Sequence, residues 1–247
     1  MVDIDAVYQK VLALANKEQR GYITPQEFNL FADQAQKEIF EQYFYDINQW
    51  SRKHGNSTAH SDMITNLEEK VSLFEKYDQT ATVSGDSGNV STSLITDMYR
   101  LMMVRVDYDG ITGFSEAEEI QLNELTQYLS SPLGAPSKRR PVYTRYSGST
   151  NPNALKVYPY PSSNILTDQV LLSYVKTPAK PVWGYFVVGD KALFDSGPNT
   201  THFELHPAEE GELVYKILTY AGVTIEKPHV QKTGTSLDQN KTQQEKQ

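Results

Sequence analysis

The sequence contains no cysteine. A chain without thiols forms no disulfides, offers no thiolate nucleophile and builds neither an iron–sulfur cluster nor a cysteine-ligated zinc site. It also lacks an apolar run near the roughly 20 residues that span a bilayer. The opening MVDIDAVYQK carries two aspartates where a secretory signal carries positive charge. We therefore expect synthesis in a cytoplasm, without insertion into a membrane.

Acidic residues are absent from one long stretch, since none occurs between Leu125 and Thr167. The whole chain is acidic, with 31 Asp and Glu against 23 Lys and Arg. Residues 1–130 contain 21 acidic and 10 basic residues, whereas residues 131–247 contain 10 and 13. The cations of the acid-free stretch are Lys138, Arg139, Arg140, Arg145 and Lys156. This pattern predicts an acidic body with one basic patch, which is either a solvated loop or a surface for an acidic neighbour or phosphates.

The chain is long and apolar enough to fold, with 247 residues, 38% hydrophobic residues, 16 Tyr and 9 Phe. Helical spacing of apolar residues predicts helices over 3–18 and 62–77. Between them, Thr24-Pro-Gln-Glu27 combines a capping box with proline at the first helical position, which predicts a helix from there to about Trp50.

Strand patterns begin near residue 80. The segment TATVSGDSGNVSTSLI predicts two strands around a glycine-rich turn, and MYRLMMVRVDY predicts a third. Ser115-Glu-Ala-Glu118 resembles a capping box and predicts a helix over 115–130. The proline-rich basic connector follows, and then come predicted strands at 142–146, 154–159 and 169–176. A short strand is expected at Phe203-Glu-Leu205, before a final helix from Pro207 to Gly222.

The predicted fold class is α+β: a helical bundle of three N-terminal helices, a middle helix and a C-terminal helix, with a β-rich insertion. The predicted segments are a helical bundle at 1–79, a hairpin and strand insertion at 80–114, a helix at 115–130, a β-rich region with the basic connector at 131–206, a helix at 207–225 and a flexible tail at 226–247.

One short motif suggests a hydrolase. Gly85-Asp-Ser-Gly88 resembles the nucleophile segment of trypsin-like serine proteases, and Thr58-Ala-His60 resembles their histidine segment. In that family the two segments are separated by much of the domain, whereas Ser87 follows His60 closely here. The same tetrapeptide is also a good hairpin turn. The hydrolase is therefore kept as an alternative to a simple turn.

Two other motifs suggest a metal ion. Residues 16–27 resemble an EF-hand loop with Gly21 at the sixth position and Glu27 at the twelfth, but Asn16 stands at the first position and Arg20 at the fifth. A degenerate EF-hand-like cytosolic binding module is the alternative function. His202 and His206 are four residues apart without a third ligand nearby in sequence. No metal, cofactor or catalytic residue is predicted, and no phosphate-binding glycine motif occurs.

Three stretches carry a resemblance to a known group of proteins. They are ANKEQRGYITPQEFNLFADQAQKEIFEQYF (15–44), LLSYVKTPAKPVWGYF (171–186) and FELHPAEEGELVYKILTYAGVTI (203–225). They resemble segments of virion structural proteins of crAss-like phages and related podoviruses that infect Bacteroidetes. Within that group the size and layout are similar to a ring or adaptor protein of the head–tail connector.

The resemblance implies a non-enzymatic virion protein of the neck or tail. Adaptors of this kind have a helical bundle that docks beneath the portal, a β-rich insertion and a C-terminal extension. Copies are expected to form a closed ring around the DNA channel, twelve of them to match the portal. The implied partners are the portal protein, adjacent ring or tail proteins, and genomic DNA passing nearby without specific binding.

Six residues are candidate contacts by their location. Phe40, Tyr43 and Phe44 form an aromatic stripe near the end of the long helix, which suits either subunit packing or the chain's own core. Arg139, Arg140 and Arg145 are candidates for contact with an acidic neighbour or with DNA in the channel.

Overall fold

The structure is a computed structural model that describes residues 1–16, 23–52, 58–84, 88–91, 96–146, 154–161, 168–189 and 191–224, together with Ser236 and Gln239. The chain forms two compact units. The helical unit consists of Met1–Leu73 and Pro178–Gln247, and the sheet unit consists of Phe74–Thr177. The fold is therefore mixed α/β, with the sheet unit inserted into the sequence of the helical one.

The described helices are α1 (Ile4–Asn16), α2 (Pro25–Arg52), α3 (Thr58–Ser72), α4 (Leu125–Ser130) and α5 (Glu210–Thr224). The described strands are β1 (Glu75–Ser84), β2 (Asn89–Ser91), β3 (Met98–Asp107), β4 (Ser115–Glu116), β5 (Glu118–Glu119), β6 (Val142–Tyr146), β7 (Ala154–Tyr158), β8 (Gln169–Lys176), β9 (Tyr185–Val188) and β10 (Lys191–Phe194). A 3-10 turn, Pro207–Glu209, leads into α5.

Helix α2 begins at the predicted capping box. The Thr24 backbone N–H and hydroxyl donate to Glu27 Oε2 at 2.9 and 2.7 Å, and the Glu27 N–H donates back to Thr24 Oγ1 at 3.3 Å. The bonds from the side chain and backbone of Thr24 lower the pKa of Glu27. Pro25 occupies the first helical position, where its missing N–H costs no hydrogen bond.

Two amide side chains of α2 bind the extended segment that follows the sheet unit in sequence. Asn29 Oδ1 accepts from the Trp183 backbone N–H at 2.7 Å. Two turns along the helix, the fully buried Gln36 donates to the Ala179 carbonyl at 2.8 Å and accepts from the Glu204 N–H at 3.1 Å. The first and last parts of the chain are thus joined by specific hydrogen bonds as well as by apolar packing.

The sheet unit has the strand order β4-β3-β8-β1-β2-β7-β6-β5. Its two end strands are consecutive in sequence, so residues 115–119 contact both ends of the sheet. The Ala117 N–H donates to the Val104 carbonyl on β3 at 2.9 Å, and the Glu118 N–H donates to the Pro141 carbonyl beside β6 at 3.0 Å. This short segment closes the sheet on itself.

The closed sheet surrounds one apolar core. Alternate residues of β8 point into it together with side chains from β1, β2, β3, β6 and β7. The buried cluster comprises Ala81, Val90, Leu101, Val104, Val106, Tyr108, Ala117, Tyr143, Leu155, Val157, Val170, Leu172 and Tyr174. Tyr108 satisfies its hydroxyl by donating to the Pro159 carbonyl at 2.7 Å, and burial raises the pKa of this phenol.

The predicted helix over 115–130 is wrong in its first half. Residues 115–119 form β4 and β5, and the helix α4 covers only Leu125–Ser130. Leu122 and Leu129, which a helix over 115–130 would bury on its apolar face, are exposed. The capping-box signature is a local preference of about 1 kcal/mol, which pairing with two strands and burial of Ala117 outweigh.

Three smaller differences concern element ends. The third helix ends at Ser72 rather than near residue 77, because Glu75 onward pairs with β8. The expected boundary between residues 79 and 80 therefore falls inside β1. The short strand at Phe203 is a single bridge to Val2. The expected flexible tail at 226–247 lies outside the described residues except for Ser236 and Gln239.

Gly88 should tolerate no side chain. It directly precedes β2 with φ +69°, and a Cβ there would lie 2.5 Å from the Val157 carbonyl oxygen. We predict that Gly88→Ala lowers the free energy of unfolding by about 1–3 kcal/mol or more, from backbone strain plus this collision. Chemical denaturation followed by circular dichroism measures the change.

Gly110→Ala is the matched control. Gly110 also has a positive φ, but its Cβ would meet nothing within 4 Å. Only the backbone strain should appear in this variant. Equal losses in the two variants would show that the collision with Val157 contributes nothing.

Candidate interaction surfaces

A cluster of three ionisable groups lies where the sheet unit begins and ends. Lys76 Nζ lies 2.6 Å from Asp97 Oδ2, and the Tyr174 hydroxyl donates to Asp97 Oδ1 at 3.0 Å. Burial raises the pKa of Asp97, but the hydrogen bonds from Lys76 and Tyr174 outweigh it and lower the pKa below its ordinary value. Lys76 lies on β1 and Tyr174 on β8, and both bind the same carboxylate. The cluster therefore links the two strands, and each of its three polar groups has a partner.

The proposed hydrolase pair cannot be placed, because Ser87 and the side chain of His60 lie outside the described residues. Residues 17–22 of the EF-hand-like stretch also lie outside them. At its twelfth position, the Glu27 carboxylate is engaged with Thr24 in the capping box.

The two histidines have structural contacts. His202 Nδ1 accepts from the Ile4 backbone N–H at 3.3 Å, and His206 Nδ1 accepts from the Ala208 N–H at 3.2 Å at the start of the 3-10 turn. Within the described part of the chain, no three His, Asp or Glu side chains gather as metal ligands would.

The aromatic stripe of α2 packs within its own chain. Phe40 and Tyr43 are 2% and 4% exposed, and Phe44 is half-buried with its ring centroid 5.1 Å from that of Phe40. The ammonium of Lys70 lies 5.6 Å from the Tyr43 ring centroid. The structure thus places Phe40 and Tyr43 in the core of the helical unit, which is the second of the two roles that the sequence left open.

Buried charges in the helical unit are matched. Glu209, whose side chain is almost inaccessible, lies 2.6 Å from Lys70 Nζ. Lys216 Nζ lies 3.7 Å from both Glu212 and Glu38. Removing either partner of such a pair would destabilise the fold, because the other charge would remain buried without a counter-charge. Because the charges are paired, α2, α3 and α5 can pack together although charged groups lie where they meet.

The predicted basic residues fall into two groups. Arg145 pairs with Glu119 at 2.9 Å on the wall of the closed sheet. Lys138 donates to the Asp109 carbonyl at 3.0 Å. Arg139 and Arg140 are exposed, and neither has an ion-pair partner among the residues that the structure describes. The two are held together in a tight turn, in which the Arg140 N–H donates to the Ser137 carbonyl at 2.9 Å.

These arginines belong to a projecting segment, residues 121–140, which we call the arm. It leaves the sheet after the buried Ile120 and returns at the buried Pro141, and no residue between them is buried. Hydrogen bonds hold its shape locally, for example from Ala135 N–H to the Ser131 carbonyl at 3.0 Å. The arm is also anchored to the sheet unit, since Leu125 packs against the cluster of Ile120, Val142 and Tyr158 and Lys138 binds the Asp109 carbonyl. It therefore keeps a defined shape without a core of its own.

The arm displays apolar side chains to solvent. Leu133 is 98% exposed, and Leu122, Tyr128 and Leu129 are also exposed. Sequence reasoning missed Leu133, although a lone leucine between Pro132 and Gly134 has no helical or strand-spaced apolar neighbour. Exposed apolar side chains grouped with arginine are typical of protein–protein contact surfaces.

A second apolar projection is the hairpin β9–β10 of the helical unit. Val187 is 64% exposed, and Phe186, Val188 and Leu193 are exposed beside it. Its base is fixed by Trp183, whose indole N–H donates to Asp5 Oδ1 at 2.9 Å and whose ring stacks at 5.7 Å on Phe194. The sequence signal that would have predicted it is the Gly-Asp pair between YFVV and KALF.

No protein-family model matches the chain, and no curated protein resembles it significantly in sequence. Among the described helices, none is long and apolar enough to cross a membrane.

Asp97 should stabilise the sheet unit in a pH-dependent way. Because its folded-state pKa is lowered, the stabilisation is present above the unfolded-state pKa, near 4, and is lost as the pH falls through the folded value. We predict that Asp97→Asn lowers the free energy of unfolding at pH 7 by about 1 kcal/mol, a modest figure because solvent reaches both partners.

Urea unfolding at pH 7 and pH 3 tests this. The gap between Asp97→Asn and the unmodified protein should shrink at pH 3, whereas the control Asp107→Asn, at the other end of β3, should show no comparable gap at either pH. A gap of the same size at both pH values would show that the ionised carboxylate is not what stabilises the fold.

Proposed function

We propose that this protein is a non-enzymatic structural subunit of a phage head–tail connector. Copies form a closed ring beneath the portal, expected to number twelve, with the DNA channel at the centre and further tail proteins docked on the ring. The proposal places the protein in the virion neck or tail. It rests on the resemblance of three stretches to virion proteins of crAss-like phages and on the surfaces described above.

The observation that carries the proposal is the arm. Twenty consecutive residues, 121–140, keep a defined shape without one buried residue, and they present Leu133 almost fully to solvent. Exposing such a group is unfavourable for an isolated chain, and burying each leucine stabilises a contact by roughly 1.5–3 kcal/mol. A segment of this kind is suited to contact with another protein.

The apolar hairpin β9–β10 supports an assembly with more than one contact per subunit. It belongs to the helical unit, whereas the arm belongs to the sheet unit. A subunit with two different contact surfaces suits heterologous association, in which each copy gives one surface and receives another. Such contacts produce a ring when the rotation between neighbours closes.

The overall charge is compatible with a channel. The net charge of −8 discourages tight binding to DNA, whose phosphates attract basic surfaces. DNA that must slide through a ring requires weak contacts with its wall. Arg139 and Arg140 accompany exposed apolar side chains on the arm, such as Leu133.

Negative-stain imaging with native mass spectrometry tests the proposal. The purified chain is examined alone and mixed with the portal protein of a crAss-like phage. We expect rings, or decoration of the portal with the portal's own symmetry. A strict monomer that leaves the portal undecorated would overturn the proposal.

A further inference from the structure

The outer face of α3 is anionic. Asp62, Glu68 and Glu69 are exposed, and Leu73, half exposed just beyond the helix end, follows Glu69 by one turn. Lys70 is the one cation in the part of α3 whose side chains are described, 62–72, and it is paired with the buried Glu209. The solvent face of this helix therefore offers carboxylates next to an apolar side chain.

The arm has the opposite character. Its single carboxylate, Glu124, stands near its start, and no acidic residue follows up to Arg140. Arg139 and Arg140 project from the tight turn that Ser137 closes, on the same projecting segment as the exposed Leu133. The arm thus carries both exposed cations and an exposed apolar side chain, which is the complement of the α3 face.

The apolar part of the arm selects a protein partner over DNA. Contacts to phosphates use cations and hydrogen-bond donors, and leucine side chains contribute nothing to them. Protein interfaces combine buried apolar anchors with arginine. A partner for this surface should therefore present carboxylates and an exposed apolar group together.

We infer that the arm of one copy docks on the outer face of α3 of a second copy, with Arg139 and Arg140 against Glu68 and Glu69 and with Leu133 near Leu73. The inference rests on the proposed function, because it names the contact by which neighbouring subunits of the ring associate. Opposite charges on the two surfaces steer the encounter and set the register, and the leucines supply apolar area.

Reciprocal charge reversal tests the contact. One variant carries Arg139→Glu and Arg140→Glu, and the other carries Glu68→Lys and Glu69→Lys. Each alone places like charges opposite one another and should self-associate on the order of 100-fold more weakly than the unmodified chain. An equimolar mixture should regain the unmodified oligomer with the two variants alternating, because both kinds of contact are then between opposite charges.

Two controls accompany the measurement, which is native mass spectrometry and sedimentation at low and high salt. The variant Arg100→Glu with Lys180→Glu makes the same change in net charge at two exposed positions elsewhere, and it should assemble normally. Thermal melts followed by circular dichroism establish that each variant folds. Should Glu68→Lys with Glu69→Lys fail to fold, Glu68→Gln with Glu69→Gln replaces it and should weaken assembly by a smaller factor.

The outcomes separate this inference from the proposed function. If the unmodified chain stays monomeric, alone and with the portal, the proposed function fails. If it assembles and the arm variant assembles equally well, the ring stands and the arm contact is wrong. If both variants are defective but the mixture does not recover, the arm and α3 do not meet. If the arm variant assembles but loses affinity for a labelled DNA duplex, the arginines serve phosphates instead.

Discussion

The closure of the sheet by residues 115–119 is the constraint from which the main surface of the protein follows. Strand edges are the part of a sheet most prone to pair with another chain. Here the two end strands are consecutive in sequence and bind β3 and β6, so closure uses those edges within the unit. Side chains that project from the unit, those of the arm above all, form the surface that we propose for association.

The arm depends on the same joint. It begins after Ile120, which follows β5, and ends just before Pro141, whose carbonyl accepts the Glu118 N–H. The hydrogen bonds that close the sheet therefore also hold the two ends of the arm together. A contact segment with a fixed base loses less conformational entropy on binding than a free loop of the same length. The hairpin β9–β10 has a comparable base in Trp183, which α2 holds through Asn29.

Local signals in the sequence predicted those elements whose own residues determine them. The capping box at Thr24 predicted the start of α2, and β-branched and aromatic residues between turn residues predicted β6, β7 and β8 nearly to the residue. The same kind of signal failed at Ser115, because pairing with strands distant in sequence decided the structure there. Helix and strand are close in free energy over such short segments, so distant contacts determine which one forms.

The candidate contact residues could likewise be predicted only in part. The absence of acidic residues between Leu125 and Thr167 was enough to single out Arg139 and Arg140. It was not enough to separate them from Arg145, since the pairing of Arg145 with Glu119 arises only when β6 lies beside residues 118–119. The aromatic stripe of α2 shows another limit of the sequence. Composition alone cannot tell a core face from a contact face, and packing within the chain buries Phe40 and Tyr43.

Charge segregation also bears on which assembly the proposed contacts favour. Two arms placed together would bring four arginines into contact, and two α3 faces would bring carboxylates together. Like charges opposed at an interface disfavour both of these symmetric pairings. Only the contact of an arm with an α3 face joins opposite charges, and that contact uses different patches on the two copies. Two-fold dimers that join arm to arm or α3 to α3 are thereby disfavoured, whereas head-to-tail association, the arrangement that a closed ring requires, joins opposite charges at every contact.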